Sequence, residues 1–322
     1  MALDATALWI EGPGRAALRA ERLPPAGPGE VRIAMLFSAI SRGTEKLVFQ
    51  GRVPPSEHRR MRCPFQEGDF PGPVKYGYAA VGRVEQGPPD LAGRIVFALA
   101  PHASAAVLPA AAVVPLPEGV PPRRAALAAN METALNVVWD ARIQPGDRVA
   151  VFGAGLVGLL VARLAAAIPA TAVTISDVDP AKAAVAATLG LPFTAADASQ
   201  SECDVAINAS ASQDGLAAAL AAAGDEATVV EASWYGEATV SVPLGGPFHS
   251  RRLRLVSSQV GMVPPDRRVR WTHRRRLETA LALLADPALD ALITGETPFA
   301  EAAERYAGIL ADPATLAHIF RY

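Results

Sequence analysis

Cysteine is nearly absent from this chain. Cys63 and Cys203 are the only two among 322 residues, and they lie far apart. That excludes a disulfide framework and a C-x-x-C metal pattern. Charge of one sign is not in excess either: the formal net charge is −2, so no global basic surplus points to nucleic acid. No apolar run is long and uncharged enough to read as a membrane span. Met1 to Ala20 carries Asp4, Glu11, Arg15 and Arg19, so this stretch does not read as a signal peptide. These shortages predict a protein with neither membrane nor nucleic-acid partners, at home in a reducing cytoplasm. What the chain has in quantity is hydrophobic residues, 51% of the total, enough for a large core and two domains.

The chain is organised around residues 148–158. Val149, Ala150, Val151 and Phe152 have strand character, and they run into Gly153, Gly155 and Gly158. Leu159 to Ala167 then reads as an Ala- and Leu-rich helix. This is G-x-G-x-x-G between a strand and a helix, the context in which it signals dinucleotide binding. Gly153 allows the tight turn, Gly155 lets the backbone approach a pyrophosphate, and Gly158 lets helix and strand pack closely. The helix-start N–H groups, including those of Leu156 and Val157, would face the diphosphate, with the helix dipole favouring its charge. The next strand, Thr171 to Ser176, ends in Asp177, 177 − 158 = 19 residues past the last glycine. A carboxylate at that distance accepts hydrogen bonds from a ribose 2′-hydroxyl and repels a 2′-phosphate. The expected cofactor is therefore NAD.

Residues 1–122 show short strands between Pro/Gly breaks, clearest at Ala5–Ile10, Glu30–Phe37, Ala79–Val84 and Arg94–Ala98. This reads as an all-β region. Residues 123–257 alternate helices and strands, beginning with a helix over Arg123–Ala141, and so predict a parallel sheet covered on both faces. Residues 258–322 hold a helix from about Arg270, a short strand at Leu292–Thr294 and a helix from Phe299, read as a return to the first domain.

Taken together, these motifs resemble the medium-chain dehydrogenase/reductase superfamily. The residues that carry the resemblance are Gln144 to Gly155, Leu292 to Thr294 with Pro298 and Phe299, and Ser38 to Lys46, which is similar to a branch including bacteriochlorophyllide dehydrogenases. The resemblance implies a GroES-like β-barrel domain joined to a Rossmann doubly wound parallel sheet, α/β overall. Many members hold a catalytic zinc. Here the three ligand positions read Ser41, Tyr78 and about Ala129, none a good zinc ligand, so no metal is expected.

Hydride transfer to a carbonyl leaves negative charge on oxygen, and without zinc an O–H or N–H donor must meet it. By resemblance, Thr44 matches a proton-relay hydroxyl and Tyr78 occupies the former zinc-histidine position. Either could instead be structural, Tyr78 as a packed aromatic and Thr44 as a turn residue. Lys75, Tyr76, His102 and Glu132 are alternatives, with His102 read more readily as a loop residue. Also by resemblance, Thr133 touches the nicotinamide, Ser258 and Val260 hold the carboxamide, and Arg42 reaches the pyrophosphate. The expected activity is NAD(H)-dependent, zinc-independent hydride transfer on an alcohol/ketone pair. An enoyl or quinone reductase and a non-catalytic NAD-binding sensor stand as alternatives. The family's habits imply a homodimer, with Leu253–Ser257 and Ala238–Val242 as contributors. Six of the ten residues from 267 to 276 are Arg. They read either as a solvated surface or as a filter for an anionic small-molecule substrate.

Overall fold

The computed structural model describes residues 3–195 and 202–322. The chain divides into two compact units, residues 1–129 with 281–322, and residues 130–280.

The first unit is a GroES-like β-barrel. Its larger sheet has seven strands. In order these are Ile293–Pro298, Ala317–Arg321, Glu30–Ile40, Ala80–Gln86, Ile95–Ala98 and Val113–Pro115, with Ala105–Pro109 also pairing Glu30–Ile40. Glu30–Ile40 shows why a strand forms: Val31, Ile33 and Met35 point inward on alternate positions and are buried. A four-stranded sheet joins Arg15–Leu23, Leu3–Gly12, Val74–Lys75 and Glu67–Gly68. The segment 102–104 stitches the sheets together: the Leu8 N–H donates to the His102 carbonyl, and the Met35 N–H to that of Ser104.

The second unit is the doubly wound sheet. Its six strands run in the order Phe193–Ala195, Ala172–Asp177, Arg148–Phe152, Cys203–Asn208, Ala223–Glu231 and Arg254–Ser257, all parallel. The strand order reverses beside Arg148–Phe152, and ligands in such sheets bind outside the carboxyl ends of the strands at that point. Arg148–Phe152 is buried along four of its five residues, as expected for a central parallel strand. Among the described residues no helix is long and apolar enough to cross a membrane.

Several expectations need correction. The unit boundaries fall at 129/130 and 280/281, not at 122/123 and 257/258. Residues 123–129 stay with the barrel because Arg124, on the helix Pro122–Ala125, forks onto Asp290 and also holds the Leu284 and Ala285 carbonyls. Residues 258–280 stay with the sheet because Ser258 and Arg276 bond the helix Ala128–Ala141. The helix expected over Arg123–Ala141 is two, Pro122–Ala125 and Ala128–Ala141. The strand Arg15–Leu23 and the helix Arg42–Phe49 were not anticipated. Arg15–Leu23 is made of helix-favouring residues; nine-residue pairing with Leu3–Gly12 across a tight turn overrides that preference.

Candidate functional site

In the second unit the glycine positions are set by close approach. Gly153 has φ of 102° and a Cβ there would lie 2.7 Å from Ser210 Cα. At Gly158 a Cβ would meet the Gly153 carbonyl oxygen at 1.9 Å, so no other residue fits. Around Gly155 there is open space, as a phosphate approaching the backbone requires. The helix Leu156–Ala166 starts here with no side-chain cap, which leaves its amino end, with Leu156 and Val157, for an anion. Asp177 closes its strand beside this turn. Its Oδ2 accepts the Ala154 N–H at 2.7 Å and its Oδ1 the Asp179 N–H at 2.9 Å. Each oxygen keeps a free lone pair for a hydroxyl donor.

A buried polar cluster backs residues 258–262. Arg276 is 2% exposed. Its Nε donates to Glu132 Oε1 at 3.0 Å, its Nη1 to Asn136 Oδ1, and its Nη2 to the Val260 carbonyl at 2.5 Å. Ser258 Oγ donates to Asp140 Oδ2 at 2.6 Å, and Asn136 Nδ2 donates to Ser258 Oγ and to Asp140. Burial pushes the Glu132 carboxyl above its ordinary range, and the Arg276 charge pulls it part of the way back. Thus Ser258 and Val260 sit on a rigid support, and the Val260 carbonyl is already engaged. Thr133 is half-buried on the same helix as Glu132.

The six arginines do not form one filter. Arg276 is buried in this cluster and Arg274 pairs with Glu278. Arg267 stacks over Trp139 beside Arg142 and Ile143, at the amino end of the strand Arg148–Phe152. That is the sheet edge opposite the glycine turn, so the expectation that these residues select the substrate has no support within this unit.

In the first unit the site is built on the helix Arg42–Phe49. Ser41 precedes it, and its N–H donates to Glu45 Oε1 at 2.7 Å. Glu45 is fully buried. Its Oε2 accepts the Tyr306 hydroxyl at 2.6 Å and lies 3.0 Å from His102 Nε2. The other His102 nitrogen is 2.7 Å from Ser38 Oγ, itself 2.7 Å from the Tyr322 hydroxyl. Beside this chain stands Tyr78, half-buried, with the Ser41 and Thr44 hydroxyls near its phenol. Burial, then the Glu45 charge, pushes the Tyr78 phenol well above its usual value, and the two hydroxyls only partly oppose that. The phenol therefore stays protonated and able to donate.

The remaining candidates separate clearly. Lys75 is buried and tied to Glu21 at 3.0 Å and to Glu67, a structural ion pair. His102 is a core residue: Gly77, with φ of 125°, leaves room for its ring, where a Cβ would come within 2.8 Å. Tyr76 is buried edge-on to Tyr78, ring centroids 5.9 Å apart. Arg42 is half-buried in the first turn of its helix. Glu45 and Tyr306 were missed in the sequence. They are 261 residues apart and carry no local motif.

Known proteins share this fold. No family model matches the chain. A curated relative, 2-desacetyl-2-hydroxyethyl bacteriochlorophyllide A dehydrogenase of Cereibacter sphaeroides, is 34% identical over 88 residues; the match spans 26% of this chain and only 23% of that protein's length. L-idonate 5-dehydrogenase from Escherichia coli superposes with a TM-score of 0.81 at 16% identity, over 100% of this chain and 99% of its own. This chain has the medium-chain dehydrogenase/reductase fold. A proposed zinc-binding dehydrogenase from Sinorhizobium meliloti 1021, bound to NADP, shares it with a TM-score of 0.78 at 19% identity, over 99% of this chain and 100% of its own.

On this medium-chain fold the zinc donors do not fit. Ser41 and Tyr78 offer neutral hydroxyls, and Ala129 offers nothing. The Glu45 carboxylate and the His102 imidazole are bonded to each other. Among the described residues no group of three His, Cys, Asp or Glu is disposed to hold a metal ion. Burial pushes the Cys63 thiol up to about 12.

Proposed function

We infer that the protein is an NAD(H)-dependent oxidoreductase that moves a hydride between an alcohol/ketone pair and the cofactor without zinc. The observation that carries this reading is the Tyr78 phenol. It stands where the family keeps a metal-bound histidine, beside the Ser41 and Thr44 hydroxyls, and burial holds it protonated. A bound nicotinamide dinucleotide supplies the ring that gives or accepts the hydride. The residues fitted to hold that cofactor are the Gly153–Gly158 turn with Leu156 and Val157 for its phosphates, Asp177 for a ribose, and Thr133 with residues 258–260 for the nicotinamide.

In the reducing direction Tyr78 donates its hydrogen bond to the substrate carbonyl and stabilises the charge that grows on oxygen. Thr44 and Ser41, whose hydroxyls lie beside the phenol, donate hydrogen bonds to its oxygen as its proton passes to the substrate. Glu45 fixes Ser41 through its backbone N–H and discourages a standing negative charge on Tyr78. The curated relative's name, a hydroxyethyl compound and a dehydrogenase, agrees in kind with a secondary alcohol substrate. Lys75 has no part in this scheme.

The test is Tyr78→Phe assayed against a panel of ketones with NADH. Turnover should fall roughly 100-fold, the usual loss for one oxyanion donor, with NADH affinity unchanged. Undiminished turnover in Tyr78→Phe would refute the role. Elemental analysis of the dialysed protein should find no stoichiometric zinc, and one zinc per chain would overturn the metal-free mechanism.

A further inference from the structure

The arginines that serve neither the buried cluster nor an ion pair line a groove of their own, wholly within the second unit. One lobe, about 400 Å³, is lined by Asp266, Arg267, Arg270, Trp271 and Arg275. The other, about 450 Å³, shares Asp266 and Arg267 and is walled by Val138, Trp139, Ile143 and Ile168. Each lobe is within the size range of small-molecule sites. The first presents three guanidiniums against one carboxylate, and the second mixes these apolar side chains with Arg142 and Gln144.

Freely solvated arginines move apart to relieve repulsion, whereas these are held together. Arg275 stacks on Trp271 at 3.9 Å and donates to the Arg270 carbonyl at 2.9 Å. Arg267 lies over Trp139 at 4.9 Å, and the two indoles pack at 4.7 Å. Stacking of this kind fixes a guanidinium while leaving its N–H fork free. Asp266 turns towards Arg142 at 3.4 Å. Among the described residues no carboxylate pairs with Arg267, Arg270 or Arg275. The groove lies where Ile143 and Ile168 precede the strands Arg148–Phe152 and Ala172–Asp177. A five-residue strand spans about 17 Å, so the groove and the glycine turn occupy opposite edges of the sheet.

We propose that this groove is a second binding site, distinct from the dinucleotide site, for a small amphipathic anion whose phosphate or carboxylate head meets Arg267, Arg270 and Arg275 and whose apolar body lies along Trp139, Ile143 and Ile168. Arginine forks grip such heads bidentately.

Calorimetric titration of the intact chain tests this with octyl phosphate below its micelle concentration, methyl phosphate and octyl glucoside at constant ionic strength. Octyl phosphate should saturate one site. Methyl phosphate should bind at least about tenfold more weakly, and octyl glucoside not measurably. Arg270→Gln, at an exposed side chain, should weaken octyl phosphate about tenfold and leave the thermal midpoint unchanged. Equal binding of methyl and octyl phosphate overturns the proposal, as does indifference to Arg270→Gln. So does loss of octyl phosphate binding in saturating NADH, which would locate it at the glycine turn. Retention by vesicles of phosphatidic acid in phosphatidylcholine without binding of soluble octyl phosphate would assign the groove to a membrane surface and overturn it too.

Discussion

Replacing Arg276 by Met should unfasten the support under residues 258–262. The guanidinium is 2% exposed and is the ion-pair partner of Glu132, whose side chain is 6% exposed. Removing one member of a buried pair strands the other charge, at a cost of about 3–5 kcal/mol. The Asn136 and Val260 oxygens each lose a donor as well, at roughly 1 kcal/mol apiece, and the apolar Met chain recovers part of this by burial. A net loss near 4 kcal/mol at pH 8 is reasonable; with a urea slope of about 2 kcal/mol per molar, the midpoint falls by about 2 M. The loss depends on pH. Burial already raises Glu132 above its unfolded value, and without Arg276 only the weaker pull of His273 opposes it. A carboxyl whose folded pKa is raised contributes stability that is present below the unfolded value and lost as pH rises through the folded one. The variant should therefore suffer less at pH 5, where Glu132 takes up a proton, than at pH 8. Glu132→Gln combined with Arg276→Met should regain much of the deficit, because no charge is left behind. A loss under about 1 kcal/mol, or one equal at both pH values, would show that the pair does not carry the load assigned to it.

Asp177→Ser should narrow the preference for NADH over NADPH about tenfold in a fluorescence titration, since it removes one carboxylate facing a 2′-phosphate; equal affinities in the unaltered protein would rule out the assignment. Asp290→Asn should lower the thermal midpoint at pH 7. The hydrogen bonds from Arg124 hold Asp290 below the usual aspartate range, so this stabilisation exists above the unfolded pKa and fades as pH falls through the folded one. The midpoints of variant and parent should converge in acid, and a constant gap would count against the mechanism.

The second unit was legible because its signals are local. The glycine spacing, the strand before it and Asp177 all lie within thirty residues, and each carries its own steric or electrostatic reason. The barrel was harder. Arg15–Leu23 has the composition of a helix and becomes a strand only through its partner, while Ala317–Arg321 pairs with Glu30–Ile40 far away in sequence. The same distance hid the surroundings of Tyr78. Thr44 and Tyr78 could be picked out by position. Glu45, Tyr306 and the core role of His102 arise from side chains that only the folded barrel brings together. Arg276 and Arg267 show the limit of reading a charge run, since neighbours of one type divide between a buried ion pair and an aromatic stack.

The strand Ala317–Arg321 is wedged between Ile293–Pro298 and Glu30–Ile40, and Tyr322 beside it bonds Ser38 across 284 residues of sequence. On the ribosome the barrel's early strands therefore emerge long before this neighbour exists. Meanwhile residues 130–280 form a unit that is contiguous in sequence and can fold as soon as it is released. Until the late strand arrives, the Phe37–Ile40 end of Glu30–Ile40 lacks that partner, and such an unpaired edge invites mispairing with other nascent chains. The hydroxyl network around His102 and Glu45 lacks Tyr306 and Tyr322 for the same interval. Assembly of the barrel and completion of this hydroxyl network are thus one late event, and a chain released before that point would carry a finished parallel-sheet unit and an unfinished barrel.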